Sequence, residues 1–355
     1  MNIDNLDEPL ELQCGAVLPN RFALAPLTNT QSNLDGTLHN NEFNWLMRRA
    51  GHFGLISTCA TFVSEQGHAW KGQLGIANNK QLPGLTKLAY AIKEAHSLPI
   101  VQLHHGGSRA ECAPRKISSS DAENVHAATN DEVQQVIEDF TDAALRAELA
   151  GFAGVEVHGA NGYIFTQFLA ANINRRTDEY GGTIENRAKF LLETVRSIKK
   201  AVSPSFMVNV RISPVDNINR LGLYLEDSKK VAKMLANEHI DVLHLSLRDA
   251  IGSGPFEEDK TPVVSAIRSV VPDTVKIATT GGIWTRADAD KAQNAGADII
   301  VLGKASIIHP DWVTNSKIQG FKPYLPPWDV ESLKKVSVSQ DFINYLDTAH
   351  HLVKY

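Results

Sequence analysis

The chain has 355 residues, of which 43% are hydrophobic and 21% are charged, a balance typical of folded globular proteins and unlike that of disordered chains. Its net charge of −5 argues against a basic surface that binds nucleic acid, so no nucleic-acid partner is expected. The three cysteines are far apart in the sequence, which excludes a cysteine-rich metal site and is typical of a reducing compartment.

The sequence contains no sign of a membrane protein. No apolar segment approaches the roughly 18 residues of a membrane span, and the acidic start, MNIDNLDEPLEL, lacks the basic and apolar regions of a signal peptide. We therefore expect a cytoplasmic protein that acts on a small molecule, without a bound metal. The sequence does not decide between a monomer and a homo-oligomer.

Short apolar strands alternate with helical segments along most of the chain. The first element, Pro9–Val17, is predicted to form a hairpin with the chain that follows it. The predicted strands are Phe22–Leu27, Gly54–Thr58, Pro99–His104, Gly154–His158, Phe206–Ile212, Asp241–Ser246, Val275–Ala278 and Asp298–Leu302. The clearest helical spacing occurs in Asp131–Ala150, Glu185–Val202, Leu225–Glu238 and Asp288–Ala295. The tail to Tyr355 is predicted to fold back as one helix.

Eight strands, each followed by a helical segment, predict a parallel sheet, and eight is the number that closes a (β/α)8 barrel. The alternative is an open, doubly wound sheet, although no G-x-G-x-x-G motif follows a strand. We expect one α/β domain. Residues 1–320 would form the TIM barrel, with the N-terminal hairpin closing its bottom, and residues 321–355 would form an extension packed on it.

Four predicted strands carry polar residues where a barrel interior would be apolar. Because side chains alternate along a strand, one face of each of these strands should point polar groups inward. Those residues are Gln102, His104, Glu156, His158, Asn209, Arg211, His244 and Ser246. Glu156 and Asn209 lie deeper and are expected in an internal network, such as a Glu156–Arg211 pair. Gln102, His158 and Arg211 lie nearer the strand ends, where the active sites of such barrels occur, and are expected to contact a ligand.

Glycine-containing loops follow the last two predicted strands. They are Thr279-Thr280-Gly281-Gly282 and Gly303-Lys304-Ala305-Ser306. Glycine lets backbone N–H groups approach an anion, and these two positions form the usual phosphate site of such barrels. The loops therefore predict a phosphorylated ligand, which from the residues alone is either a sugar phosphate or a flavin nucleotide.

Several motifs occur together in an order specific to one family. The segment beginning at Gly151 reads GFAGVEVHGANGYIFTQFL, and its continuation from Asn174 reads NRRTDEYGGTIENRAKF. The segments NRFALAPLT from Asn20 and VQLHHGG from Val101 match in order and spacing, as do the two glycine loops. Over roughly Pro9 to Trp312, the chain resembles the old yellow enzyme family, the FMN-dependent NAD(P)H:flavin oxidoreductases and ene-reductases.

This resemblance implies a noncovalent FMN, reduced by NADPH or NADH, in a TIM barrel. Thr28 would bond the flavin's C4 carbonyl, and Arg211 would lie beside N1 and the C2 carbonyl, where reduction concentrates negative charge. The glycine loops and Lys304 would hold the phosphate. The residues implied to contact FMN are Ala25, Pro26, Leu27, Thr28, Ala60, Gln102, Arg211, Gly281, Gly282, Gly303 and Lys304.

The implied reaction moves hydride from NAD(P)H, via flavin N5, to activated alkenes such as enones, or to nitro compounds or quinones. His158 and Asn161 would bind the substrate oxygen, Tyr163 would donate a proton, and Thr30 would lie in the substrate pocket. The chain departs from the family pattern at Lys304, where Arg is usual, and at Thr30, where one branch has Tyr.

Two other functions remain alternatives at this point. One is a non-redox aldolase or isomerase acting on a sugar phosphate, and the other is a flavin-binding protein without a catalytic role. The loop Arg248–Asp259 beside the expected pocket does not indicate a physiological substrate, and nothing indicates a preference for NADH or NADPH. The aromatic, proline-rich Phe321–Trp328 segment would be an interface or a cap.

Overall fold

A computed structural model describes residues 5–216, 220–254 and 260–355. Eight parallel strands form a closed barrel in which each strand pairs with the next along the chain and the eighth pairs with the first. The (β/α)8 prediction is therefore confirmed, and the open sheet is wrong. The strands are β1 (Phe22–Leu24), β2 (Leu55–Phe62), β3 (Leu98–His104), β4 (Gly154–Gly159), β5 (Met207–Ile212), β6 (Val242–Ser246), β7 (Lys276–Thr280) and β8 (Ile299–Leu302).

Helices surround the barrel and bury their apolar faces against it. The longest, over Asn130–Leu149, begins with a capping box in which Thr129 and Glu132 satisfy each other's backbone N–H groups. Within the described ranges, no helix combines the length and apolar character needed to cross a membrane. The α-helices are α1 (Asn40–Met47), α2 (Leu82–Glu94), α3 (Asn130–Leu149), α4 (Ile164–Leu169), α5 (Ile184–Ala201), α6 (Leu225–Asn237), α7 (Val263–Arg268), α8 (Arg286–Asn294), α9 (Lys304–Ile308), α10 (Trp312–Asn315), α11 (Val330–Lys335) and α12 (Gln340–His350).

The first two barrel strands differ in length from their predictions. β1 ends at Leu24. The Ala25 N–H still donates a hydrogen bond to the Leu302 carbonyl, but Pro26 has no N–H with which to continue the ladder. β2 extends to Phe62 through a register shift between Ser57 and Ala60. That irregularity interrupts the alternation on which the sequence prediction depended, so the strand appeared to end early.

The N-terminal hairpin closes one end of the barrel, as predicted. Leu10–Glu11 pairs antiparallel with Val17–Leu18. Three of its leucines, Leu10, Leu12 and Leu18, are buried in one cluster with residues from the lower part of the barrel interior, including Leu55, Met207 and Val242. This end is therefore apolar and closed, which leaves the opposite, C-terminal end of the strands as the place for a ligand.

The C-terminal extension contains two helices instead of the single predicted one. α11 starts at the cap residue Asp329, and α12 starts after Ser337, whose positive φ of 64° marks a turn between them. Trp328 and Phe342 are fully buried against the rest of the protein. Fully buried Arg49 links the extension to the barrel, since it donates to carbonyls of Ile307 at 2.7 Å and Val336 at 3.3 Å.

The loop after β3 contains a histidine that makes stability depend on pH. Nδ1 of His105 accepts the Gly107 N–H at 3.1 Å, and its Nε2 is buried without a partner. Burial lowers the pKa of His105 to about 3. Below pH about 6.5 the unfolded chain binds a proton that the folded chain does not, so stability falls as pH decreases, down to the folded pKa.

We expect His105→Asn to remove this dependence while keeping an acceptor for Gly107. Between pH 6 and pH 5, the wild-type unfolding free energy should fall more steeply than that of the variant, by about 1.4 kcal/mol per pH unit. Denaturant titrations at several pH values measure both slopes, with His126→Asn at an exposed position as the control. Equal slopes in the wild type and His105→Asn would show that His105 is protonated in the folded protein.

Candidate active site

Polar side chains fill the upper barrel interior, as their alternation predicted. Glu156 accepts hydrogen bonds from Gln102 Nε2 at 2.7 Å and from His244 Nδ1 at 2.9 Å. Burial alone would raise the pKa of Glu156, but His244, Arg211 and these hydrogen bonds outweigh burial and lower it, so the carboxylate is ionised. Arg211, the partner expected for Glu156, instead donates from Nη2 to the Ser246 hydroxyl at 3.0 Å.

Strand register explains this arrangement. Gln102 pairs with Glu156 across β3 and β4, and Arg211 of β5 lies opposite both His158 and His244 on the neighbouring strands. The guanidinium and the carboxylate thus occupy successive levels of the interior and interact through charge without an ion pair. Burial lowers the pKa of Arg211, and Glu156 and Tyr163 partly offset that effect.

Some buried polar atoms of this layer lack a protein partner. They include Oε1 of Gln102, an acceptor, and Nε of Arg211, a donor. Leaving such groups unsatisfied is costly, so a ligand with matching groups is expected to contact them. The flavin ring, with an N–H donor at N3 and acceptors at N1 and the C2 carbonyl, has the required polarity. The residues therefore fit FMN.

A cavity of about 240 Å³ opens above this layer. Its walls include six residues predicted for the site and six that were not, four of which lie on α12. The predicted residues are Pro26, Leu27, Thr28, Asn161, Arg211 and Lys304, and the others are Ile307, Phe342, Tyr345, Leu346, His350 and Leu352.

Tyr345 is the most polar addition from α12. Its hydroxyl lies 3.3 Å from His350 Nε2, and Tyr345 lines the same cavity as Thr28. Burial raises the pKa of Tyr345, partly offset by the polar side chain of Thr28, so the phenol is neutral. Sequence reasoning missed this residue, because no pattern connects the tail with Thr28.

Two other predicted residues lie around the cavity rather than in its wall. Thr30 has a positive φ of 52°, and its hydroxyl donates to the Asp341 carbonyl at 3.3 Å, so its side chain contacts the start of α12. Ala60 lies directly opposite Gln102 after the irregularity in β2, and its carbonyl accepts from Gln73 Nε2 at 2.9 Å. Ala60 therefore lies beside Gln102 in the barrel wall, with its carbonyl already engaged.

The predicted glycine loops lie at the ends of β7 and β8. Gly281 has φ 133° and Gly282 has φ 66°, values that favour glycine. A Cβ on Gly281 would lie 2.4 Å from the Leu247 carbonyl oxygen, so only glycine fits there. Gly303 precedes α9, and exposed Lys304 lies at the cavity wall. These loops offer backbone N–H groups and one ammonium to a phosphate.

His158 at the end of β4 is held in one tautomer. Its Nδ1 accepts the Ala160 N–H at 3.2 Å, so in the neutral ring the proton is on Nε2. Burial, reinforced by the positive charges nearby, lowers the pKa of His158 well below its usual value. The imidazole is therefore a neutral hydrogen-bond donor through Nε2.

Asn161 is oriented by its neighbours. It has φ 60° and is followed by Gly162 with φ 79°, a pair suited to this tight left-handed turn. Its Oδ1 accepts from Ser246 Oγ at 3.0 Å, and Ser246 accepts from Arg211. With its oxygen engaged, the side chain offers its Nδ2 hydrogens as donors. Ser246 was predicted to point inward, but its role in orienting Asn161 was not predicted.

Tyr163, just before α4, packs among aromatic rings. Its centroid lies 5.1 Å from that of His158 and 4.3 Å from that of His104, in edge contacts. Within the described part of the chain, no hydrogen bond engages its hydroxyl. Burial raises the pKa of Tyr163, and the charges of Arg109 and Arg211 partly counteract this effect. At neutral pH the phenol is thus protonated and can act as an acid.

The site can therefore do three things chemically. Its upper layer can hold a polar planar ring, its glycine loops can hold a phosphate, and His158 with Asn161 can direct two donors at one oxygen.

Part of the Arg248–Asp259 loop, residues 255–259, lies outside the described residues.

Known proteins resemble this chain over most of its length. The model of the NADH:flavin oxidoreductase / NADH oxidase family matches residues 5–320. A probable NADH-dependent flavin oxidoreductase of Bacillus subtilis is 32% identical over 328 residues, covering 88% of this chain and 87% of that protein. An NADH:fumarate oxidoreductase of Klebsiella pneumoniae is 34% identical over 86% of this chain, which spans only 35% of that longer protein. The structure of an old yellow enzyme homologue from Zymomonas mobilis matches with a TM-score of 0.80 and 26% identity, covering 93% of this chain and 96% of the other.

Proposed function

Since the chain belongs to the NADH:flavin oxidoreductase / NADH oxidase family, and is thereby an FMN-dependent NAD(P)H oxidoreductase of the old yellow enzyme type, we propose that it reduces activated alkenes, with Tyr163 as the proton donor. The observation that carries this proposal is that two oriented donors and one acid lie at the same end of β4. Hydrogen bonds to their other polar atoms leave His158 Nε2 and Asn161 Nδ2 as neutral donors, and the Tyr163 ring lies against His158.

The cofactor would be held by the residues already described. When bound, FMN supplies two-electron chemistry, accepting hydride from NAD(P)H and passing it to an acceptor. We assign Gln102 and Arg211 to its polar ring edge, Thr28 to its C4 carbonyl, and Lys304 to its phosphate. Backbone contacts would come from the glycine loops, Ala60 and the segment from Ala25 to Leu27.

The chain's own groups would act on the acceptor as follows. His158 and Asn161 hold the substrate's carbonyl oxygen and stabilise the negative charge that develops there as the β-carbon receives hydride. Tyr163 then provides the proton that the α-carbon requires. We further assign residues 1–320 to the FMN-binding barrel and residues 321–355 to the extension, whose Tyr345 closes one wall of the cavity.

One anaerobic experiment tests this proposal. The purified yellow protein should bleach with NADPH or NADH, and addition of cyclohexenone should restore the colour with formation of cyclohexanone. In His158→Ala, phenol and enone ligands should bind more weakly and reoxidation by enone should slow, because one of the two donors is lost. A protein that bleaches but is reoxidised by no enone would contradict alkene reduction. A protein that binds flavin and is never reduced would be a flavin carrier.

A further inference from the structure

Arg109, in the loop after β3, is placed beside the proposed reacting groups. Its guanidinium lies over the face of the Tyr163 ring, 4.5 Å from the centroid. Its Nη1 donates to the Asn161 backbone carbonyl at 2.8 Å. An exposed arginine is usually mobile, but these two contacts restrain this one against both the proposed proton donor and the proposed oxygen-binding residue.

No acidic side chain pairs with Arg109 in the described part of the structure. Other arginines are paired there, as Arg176 is with Asp178 at 2.5 Å and Arg187 with Asp227 at 2.6 Å. Among the described residues, hydrogen bonds engage only Nη1 of Arg109, so Nε and Nη2 retain hydrogens to donate. The guanidinium of Arg109 is thus held in place with donors still available to a ligand.

The charge of Arg109 acts on neutral groups around the cavity. The charge lowers the pKa of Tyr163, Tyr345 and His158. For the two tyrosines it opposes the larger effect of burial, and for His158 it acts in the same direction as burial. Arg211 and Lys304 add positive charge at the cavity wall, while the carboxylate of Glu156 is buried and engaged by Gln102 and His244. The residues that line the described cavity therefore include two positive side chains and no carboxylate.

We propose that Arg109 binds a carboxylate on the alkene substrate. The preferred acceptors would then be α,β-unsaturated carbonyl compounds that also carry a carboxylate group. A guanidinium presents parallel N–H groups that match the two oxygens of a carboxylate. The inference rests on the proposed function, because the alkene must lie between the oxygen donors and Tyr163. With its carbonyl on His158 and Asn161, the far end of a short substrate would lie beside the guanidinium.

The test uses two substrates that differ in charge, trans-4-oxopent-2-enoate and its methyl ester. The ratio of kcat/KM for the acid to that for the ester is measured in the wild type, Arg109→Gln, Arg109→Lys and the control Arg115→Gln. Arg115 is an exposed arginine nearby that pairs with Glu132. In Arg109→Gln the ratio should fall by about tenfold, mainly through the KM of the acid, because a charge-assisted hydrogen bond is lost. Arg109→Lys should keep part of the preference for the acid over the ester, and Arg115→Gln should leave the ratio unchanged.

A binding measurement gives a second readout that requires no turnover. Calorimetric titration of the oxidised holoenzyme should show that 4-hydroxybenzoate loses more affinity in Arg109→Gln than its methyl ester does. If acid and ester are affected equally in both experiments, Arg109 only supports Tyr163 and Asn161, and the proposal is wrong.

A phosphate of NAD(P)H is the other anion that Arg109 could bind. A raised KM for NADPH or NADH in Arg109→Gln, with an unchanged acid-to-ester ratio, would therefore overturn the proposal. If the wild type bleaches with NAD(P)H but reduces neither alkene, the proposed function fails. The calorimetric difference between 4-hydroxybenzoate and its ester then still decides whether Arg109 binds a carboxylate.

Discussion

Tyr163→Phe should slow the reduction of an enone by about 10²–10⁴-fold, the usual contribution of a positioned general acid. The proposed reaction must place a proton on the α-carbon, and Tyr163 is a neutral phenol whose ring packs against His158. Reduction of the flavin by NAD(P)H needs no proton from this position, so that half-reaction should remain near the wild-type rate. Anaerobic stopped-flow measurement of both half-reactions distinguishes the two steps.

The matched control for this variant is a second type of acceptor, a quinone. Quinones take electrons without protonation at carbon, so Tyr163→Phe should reduce them almost as fast as the wild type does. Phenylalanine keeps the ring that packs against His104 and under Arg109, so the wall of the site should be preserved. Equal losses with enone and quinone would show that Tyr163 is a structural aromatic residue, and the proton would have to come from another group or from water.

Arg211→Met should impair the reductive half-reaction, by about 10²–10³-fold if FMN is still bound. The side chain remains long and apolar enough to fill the space, but the positive charge beside the expected position of N1 and the C2 carbonyl is lost. The loss also leaves buried, ionised Glu156 with less compensating charge, and it removes the donor to Ser246, which orients Asn161. FMN affinity should therefore fall as well.

Two measurements separate these effects. FMN titration of the apoprotein gives the change in affinity, and anaerobic mixing of the saturated variant with NADPH gives the rate of bleaching. Arg196→Met, at an exposed arginine paired with Glu238 at 2.6 Å, is the control for loss of one positive charge. Full flavin occupancy with an unchanged reductive rate would remove Arg211 from its proposed role beside the flavin ring.

Much of the fold and part of the site were predictable from local patterns. Each barrel strand was detectable by itself, and the alternation in segments such as Gly154–His158 showed that Glu156 and His158 share a face. The prediction that such faces point into a barrel required only that the strands be parallel and eight in number. The order of His158, Asn161 and Tyr163 was recognisable because these residues lie within six positions of one another.

The partners of those side chains were not predictable in the same way. Glu156 bonds His244, which is 88 positions away, and the pairing depends on strand register and on which groups reach the same level of the interior. Alternation indicates which face a residue occupies, but not its height relative to residues on other strands. For this reason the expected Glu156–Arg211 pair was wrong, although both residues point inward as predicted.

Local sequence patterns were enough to predict the barrel, its polar interior and the positions of the proposed catalytic residues, because each depends on periodicity or spacing within a short segment. The packing of the folded chain is what brings Tyr345 of α12 to the cavity that Thr28 lines. It also places Arg109 over Tyr163, with no acidic partner among the described residues. Those contacts join segments tens to hundreds of residues apart. They result from how the whole chain packs around the barrel, which no local pattern records.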